Sequence, residues 1–209
     1  MRWLLTPYVI RLGMAFLGGG SGLIWWSVLS PLPSKFSSAL VLTILQVVFY
    51  YAFGSWLEST YRKRWHDPLT ELPNRAYADQ VFASLQDPFS ITLLDIDWFK
   101  QFNDTHGHLV GDKLLQRVSK ILESSVRKTD HVIRWGGEEF LIVFPHSGLN
   151  TAVQITDRIR ETVLRETGVT VSAGCSTGSR SQIQSAIQKA DQLLYEAKQS
   201  RNTVLAKCL

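Results

Sequence analysis

Two glycines followed at once by two glutamates, Gly136-Gly137-Glu138-Glu139, stand between the apolar runs Val132-Ile133 and Phe140 to Phe144. The apolar runs read as strands, and the glycines as the hairpin turn that joins them. A pair of acids at the mouth of a strand that must be buried is a costly place for charge unless a cation neutralises it. The turn therefore reads as a metal and phosphate site. An ordinary Gly-Gly hairpin carrying solvated glutamates is the alternative.

The surrounding sequence supplies layers for that hairpin to sit in. Residues 67–75 have the prolines and polar side chains of an ordered loop, after which Tyr77, Val81, Phe82 and Leu85 fall at helical spacing. A strand-like run from Ser90 ends in Asp95-Ile96-Asp97, and residues 103–111 read as loop. Leu114, Leu115, Val118, Ile121 and Leu122 mark one helix, and Val153, Ile155, Ile159 and Val163 a second. Val169 to Cys175 reads as a strand, and Ile183, Ile187, Ala190, Leu193, Leu194 and Ala197 as a last helix. That order predicts an α+β sandwich, a sheet covered on one face by helices.

Chain handedness then brings remote acids together. A right-handed crossover after the first strand makes the second strand parallel to it, so both C-terminal ends share one edge of the sheet. Asp95 ends the first strand and Glu138 opens the turn after the second, so their carboxylates converge within reach of one or two divalent cations. Hard oxygen ligands with room for phosphate suit Mg²⁺ or Mn²⁺, and two such ions can stabilise both oxygens of a phosphoryl transfer. Taken singly, Asp95 and Asp97 read equally as solvated strand ends. Lys100 is placed to meet phosphate, or is a surface lysine. The five histidines (His66, His106, His108, His131, His146) form no i, i+4 ligand pair, and Cys175 and Cys208 match no metal spacing. None of them is assigned to metal.

The N-terminal part follows different rules. None of the 18 acidic residues precedes Glu58, and only three of the 22 basic ones do, Arg2, Arg11 and Lys35, so the net charge of +4 lies mostly there and the remainder is nearly neutral. No nucleic-acid polymer is expected as a partner. Residues 12–34 and 36–57 carry no charge, and each run is long enough to cross roughly 30 Å of hydrocarbon as a helix. The chain thus predicts a two-helix transmembrane hairpin over residues 1–57, with spans at about 12–30 and 36–57, a linker over 58–66 and a soluble domain over 67–209. Pro31 and Pro33 end the first span, and Trp25, Trp26, Trp56 and Trp65 lie where interfacial aromatics collect. Arg2 and Arg11 before the pair and Arg62, Lys63 and Arg64 after it place both termini on the cytoplasmic side of the membrane. A signal peptide is the alternative for the first run, but a second span follows and no small-residue cleavage site is evident.

Three motifs in order carry a resemblance: Asp-Pro-Leu-Thr-Glu-Leu-Pro-Asn-Arg from Asp67, Asp-Ile-Asp-Trp-Phe-Lys-Gln-Phe-Asn-Asp-Thr-His-Gly-His-Leu-Val-Gly-Asp from Asp95, and Arg-Trp-Gly-Gly-Glu-Glu-Phe from Arg134. Together they resemble the GGDEF domain of bacterial diguanylate cyclases, from Asp67 to about Arg201, with glutamate in the third place of the signature. The resemblance implies a ferredoxin-like, palm-like antiparallel sheet. It implies condensation of two GTP into cyclic di-GMP and two pyrophosphates, by attack of a ribose 3′-hydroxyl on an α-phosphate, in a homodimer; the spans lie outside the resemblance, and hydropathy alone places the chain at the bacterial inner membrane. Two Mg²⁺ or Mn²⁺ ions would be held by Asp95, the Ile96 carbonyl, Glu138 and Glu139, the last also able to help deprotonate the 3′-hydroxyl. Lys100, Lys198 and Arg201 would meet phosphate, Asn103 and Asp112 the guanine edge, and Gly136 and Gly137 would let nucleotide approach the backbone. Arg127 and Asp130 fit the RxxD site through which product inhibits. The family's terminal motif has one residue more and a glycine, where this chain reads Ala197-Lys198-Gln199-Ser200-Arg201-Asn202. A GGDEF domain that only binds cyclic di-GMP is the alternative function. Another palm-like nucleotidyl transferase, such as a class III nucleotide cyclase, is a third and has no distinguishing motif here.

Overall fold

The computed structural model describes residues 34–208. It opens with one long helix, α1 (Ser34–Trp65), of 32 residues. Within it Val41–Tyr61, 21 residues of mean hydropathy 1.3, is long and apolar enough to cross a membrane by length and composition. Its apolar side chains are exposed on every side, from Val41, Leu42, Ile44 and Leu45 to Phe53, Trp56 and Tyr61. The first expected span, about 12–30, lies outside the described residues, and among the described residues one helix has the length and composition of a span. Residues 58–65, expected as part of a linker, continue α1, because Glu58, Arg62, Lys63 and Arg64 favour helix and no proline or glycine interrupts them.

A second compact unit begins at Trp65. Its elements are α2 (Arg75–Ser84), β1 (Phe89–Ile96), α3 (Phe99–His106), α4 (His108–Ser125), β2 (His131–Arg134), β3 (Glu139–Pro145), α5 (Leu149–Thr167), β4 (Val171–Gly178), a 3-10 turn (Arg180–Gln182), α6 (Ile183–Ser200) and β5 (Val204–Cys208). Asn74 caps α2 by accepting from the Tyr77 N–H. The sheet runs β2-β3-β1-β4-β5. Strand β3 is antiparallel to both β1 and β2, so β1 and β2 point the same way and end at one edge, as the crossover argument requires.

Three expectations need correction. The sheet is mixed rather than antiparallel throughout, because β5 lies parallel to β4, with Ala173 opposite Val204. Strand β5 escaped the sequence reading because it is a short edge strand whose outer residues, Ala206 to Cys208, are exposed and form no apolar run. Helices cover both faces rather than one. Leu94, Ile96, Phe140, Ile142 and Phe144 pack with α4 and α5, while Ile91, Leu93, Leu141 and Val143 pack with α2 and α6. The cause is visible in β1 and β3, whose residues are buried in succession instead of alternately. Finally, residues 103–111 are not loop but the meeting of α3 and α4 at Gly107, whose φ of 85° breaks the helix. The polar run Asn103-Asp104-Thr105 has weak helix propensity and hid the end of α3.

Candidate active site at the end of strand β1

The register of the sheet brings the end of β1 and the start of β3 to one edge. Asp95 lies opposite Glu139 on one side and Ser172 on the other, and the Ile96 N–H donates to the Glu138 carbonyl at 3.4 Å. Asp95, Glu138 and Glu139 therefore share one edge. From α6, the Lys198 ammonium donates to Asp95 Oδ1 and, at 3.2 Å, to the Ile96 carbonyl, and sits 3.3 Å from Asp97 Oδ1. Burial pushes the Asp95 carboxyl up to about 6; Glu138 and Glu139 push the same way, and Lys198 opposes them only in part. The edge is short of positive charge.

Asp97 has a different task. It is buried, and it accepts from Thr170 Oγ1 and Ser172 Oγ at 2.8 Å and from the Asn202 N–H at 3.0 Å. Burial alone would raise this carboxyl, but the three hydrogen bonds and Lys198 more than offset it and hold it below the usual carboxylate range. Asp97 thus fastens the chain after α6 to the end of β1. It is not the solvated strand end that was its alternative.

The donor types at this edge, three carboxylates and one main-chain carbonyl, suit a hard divalent cation. Lys198 already bridges two of those oxygens, Asp95 Oδ1 and the Ile96 carbonyl, in the manner of a cation. Among the described residues, however, no three His, Cys, Asp or Glu side chains gather around one point. Asp95 is turned to Lys198, and Glu139 lies back toward the turn, its Oε2 only 2.8 Å from where a Cβ on Gly136 would stand. Gly136 is needed for that close approach, whereas a Cβ on Gly137 would meet nothing within 4 Å.

Sequence reasoning quoted Arg134 and Asp67 within motifs and gave neither a role. The structure joins them. Arg134 Nη1 lies 2.6 Å from Asp67 Oδ1, while its Nε and Nη2 donate to the Gly137 carbonyl at 3.2 and 2.7 Å. The Arg134 N–H also donates to the Pro73 carbonyl, and Asp67 accepts from the Thr70 N–H and hydroxyl. The loop before α2 is in this way clamped to the signature turn. Burial tends to raise the Asp67 carboxyl, but Arg134 and Thr70 prevail and hold it low.

The remaining candidates fall at several places. Lys100 is exposed in the first turn of α3. Asn103 packs its Oδ1 against Gly111, where a Cβ would come within 1.8 Å, and that oxygen is buried with no hydrogen-bond partner. Asp112 follows Gly111 in α4 and is half-buried. Arg127 and Asp130 form a turn between α4 and β2, at the end of β2 away from Gly136, where Asp130 Oδ2 accepts from the Arg127 N–H at 2.9 Å and the Arg127 side chain is exposed. Lys198 joins the acidic edge, as described. Arg201 does not join it directly; its guanidinium carbon lies 3.4 Å from the centroid of the Trp98 ring. Trp98 was missed, since nothing in its spacing distinguishes it from a core aromatic.

A sheet edge that combines these acids with a glycine turn has the donor types that metal-assisted phosphoryl chemistry uses, and comparison with known proteins gives the family. The model of the GGDEF domain, described as diguanylate cyclase, matches residues 64–203, and the chain belongs to that family. Diguanylate cyclase A of Treponema denticola is 35% identical over 156 residues, 69% of this chain and 42% of that protein. The coiled coil and GGDEF domain of DgcB from Caulobacter crescentus, solved with c-di-GMP, superposes with a TM-score of 0.72 at 27% identity, over 83% of this chain and all of that one. An active GGEEF domain of a diguanylate cyclase from Vibrio cholerae gives 0.54 at 30% identity, over 62% of this chain and 88% of that one. The chain spans only 24% to 42% of the length of curated relatives that it matches.

Proposed function

We propose that this protein is a diguanylate cyclase, joining two GTP into cyclic di-GMP with release of two pyrophosphates. The observation that carries the reading is the edge where Asp95 and the Ile96 carbonyl meet Glu138 and Glu139, in a chain of the GGDEF family with its acidic set intact. A domain that merely bound cyclic di-GMP would have no use for three carboxylates there. In the proposed reaction one subunit presents one GTP, and a second copy facing it presents the other, so a homodimer completes the site. Each ribose 3′-oxygen attacks the opposite α-phosphorus as the bond to the pyrophosphate oxygen breaks. Mg²⁺ or Mn²⁺, two per site, held by Asp95, Ile96, Glu138 and Glu139, would supply the positive charge that this edge lacks.

The chain's own residues supply the rest. Glu139, beside Gly136, takes the proton of the 3′-hydroxyl. Lys198 and Lys100 neutralise phosphate oxygens. Asn103 hydrogen-bonds the guanine edge, and Asp112 takes the N1 and N2 donors. Product returning to Arg127 and Asp130 restrains turnover. The apolar helix Val41–Tyr61 anchors the chain in the lipid of the bacterial inner membrane; with residues 12–30 as the other arm, the enzyme is multi-pass with its catalytic domain cytoplasmic. Confinement to the membrane also raises the effective concentration of partners. The test is Glu138→Gln: GTP turnover should vanish while nucleotide binding persists, and turnover near the parent's rate refutes the assignment.

A further inference from the structure

We propose that Trp98 is a positioning residue, whose indole face presents Arg201 to the polyphosphate end of the nucleotide; the inference rests on the cyclase reading above. Trp98 has no structural reason to be aromatic. Its side chain is 57% exposed, and it makes no side-chain capping bond although it stands at the N-cap of α3. Its backbone is left-handed, with φ 60° and ψ 24°, a strained state for a bulky residue. Arg201 is stranger still. With φ 56° and ψ 172° it occupies a region that is essentially reserved for glycine, and its N–H closes α6 by donating to the Ala197 carbonyl at 2.8 Å. Asn202 follows with φ 45°. No glycine is present in this turn to take the strain, so side-chain contacts must hold it.

Those contacts are on both sides. The Asn202 N–H is fixed to Asp97 and its Oδ1 accepts from Arg160 Nη1 at 3.0 Å, while Lys198, three residues earlier, is fixed to Asp95. Arg201 lies between these anchors with its guanidinium over the Trp98 ring at 3.4 Å, and among the described residues it makes no salt bridge. A stacked guanidinium uses its face and leaves its edge N–H donors unspent. The result is an oriented, unneutralised fork beside the acidic edge, suited to phosphate oxygens. The shortened spacing after Lys198 is thereby accommodated, because Trp98 supplies the seat that the lost residue would otherwise adjust.

The experiment is initial-rate kinetics on the full chain in detergent micelles, with melting temperature recorded for each variant. Trp98→Ala and Arg201→Ala should each raise KM for GTP about tenfold with a smaller effect on kcat, and the double variant should be no worse than either single. Trp98→Tyr should recover most of the affinity; Trp98→Leu, which keeps bulk without a π face, should not, and it stands in if the alanine variant fails to fold. Effects that multiply in the double variant, a tyrosine as harmful as leucine, or a KM within twofold of the parent's overturn the proposal. A parent that makes no cyclic di-GMP contradicts the proposed reaction instead. The stack is then read by calorimetry, where the parent should prefer GTP to GDP and Trp98→Leu should lose that preference; a parent that binds both alike, or neither, overturns the stack as well.

Discussion

Replacing Arg134 with alanine removes one ion pair and two hydrogen bonds at a single stroke, and the structure sets the size of the loss. The Arg134 and Asp67 side chains are only 14% and 18% exposed, which separates the pair from surface bridges worth at most about 1 kcal/mol. Hydrogen bonds to charged groups contribute about 1.5–3 kcal/mol, and Asp67 would be left half-buried with only Thr70 as a donor. We expect Arg134→Ala to cost about 2–3 kcal/mol, lowering the urea midpoint by about 1 M with an unchanged slope. The assay is urea unfolding of the full chain in micelles, followed by tryptophan fluorescence, at several pH values. Because Asp67 is held below its ordinary value of 3.8, its contribution is complete above that pH and is lost as the pH falls through the lower folded value. The gap between parent and variant should therefore be constant near neutrality and shrink below about pH 4. A gap under about 0.5 kcal/mol, or one indifferent to acid, refutes the clamp.

Further outcomes follow from the same geometry. A Cβ on Gly174 would lie 2.1 Å from the Ala190 carbonyl oxygen and 2.4 Å from the Leu194 nitrogen, so Gly174→Ala should push α6 off β4 and destabilise by about 3 kcal/mol in thermal unfolding, where a change within error would contradict the packing. Asp97→Asn, which weakens three hydrogen bonds and the contact with Lys198, should cost about 1.5–3 kcal/mol and raise KM for GTP by loosening the segment that carries Arg201; a variant with unchanged KM argues against that linkage. Because Asp95 stays protonated up to about pH 6 without metal, the Mg²⁺ concentration needed for half-maximal rate should climb as pH falls below about 6. A requirement flat from pH 5 to 8 would contradict the raised carboxyl.

The parts of the fold that sequence revealed are those whose periodicity reflects burial on one side. The hairpin at Gly136 and the faces of α4, α5 and α6 are of this kind, since Leu114, Val118 and Ile121, or Ile155, Ile159 and Val163, repeat at the helical period and are buried. The placement of Asp95 and Glu138 at one edge of the sheet followed from topology alone. What escaped lacked a periodic signature. Strand β5 alternates poorly because it is an edge, and the two-sided cover of the sheet was concealed because Ser90 and Thr92 give β1 the alternation of a one-sided strand although both are buried. The role of Asp97 could not be separated from that of Asp95 by a spacing of two, which would put both on one face of a strand; the hydroxyls of Thr170 and Ser172, remote in sequence, decided it. Likewise, the seat of Arg201 on Trp98 depends on two left-handed residues that no propensity favours.

The most direct measurement is incubation of the purified full chain with GTP and Mg²⁺, with nucleotides separated by chromatography and identified by mass. The account predicts cyclic di-GMP and pyrophosphate in a ratio of one to two, specific activity that falls on dilution as dimers separate, and loss of both products in Asp95→Asn. GTP left intact by a folded chain freed of bound cyclic di-GMP, under conditions where it dimerises, would contradict it.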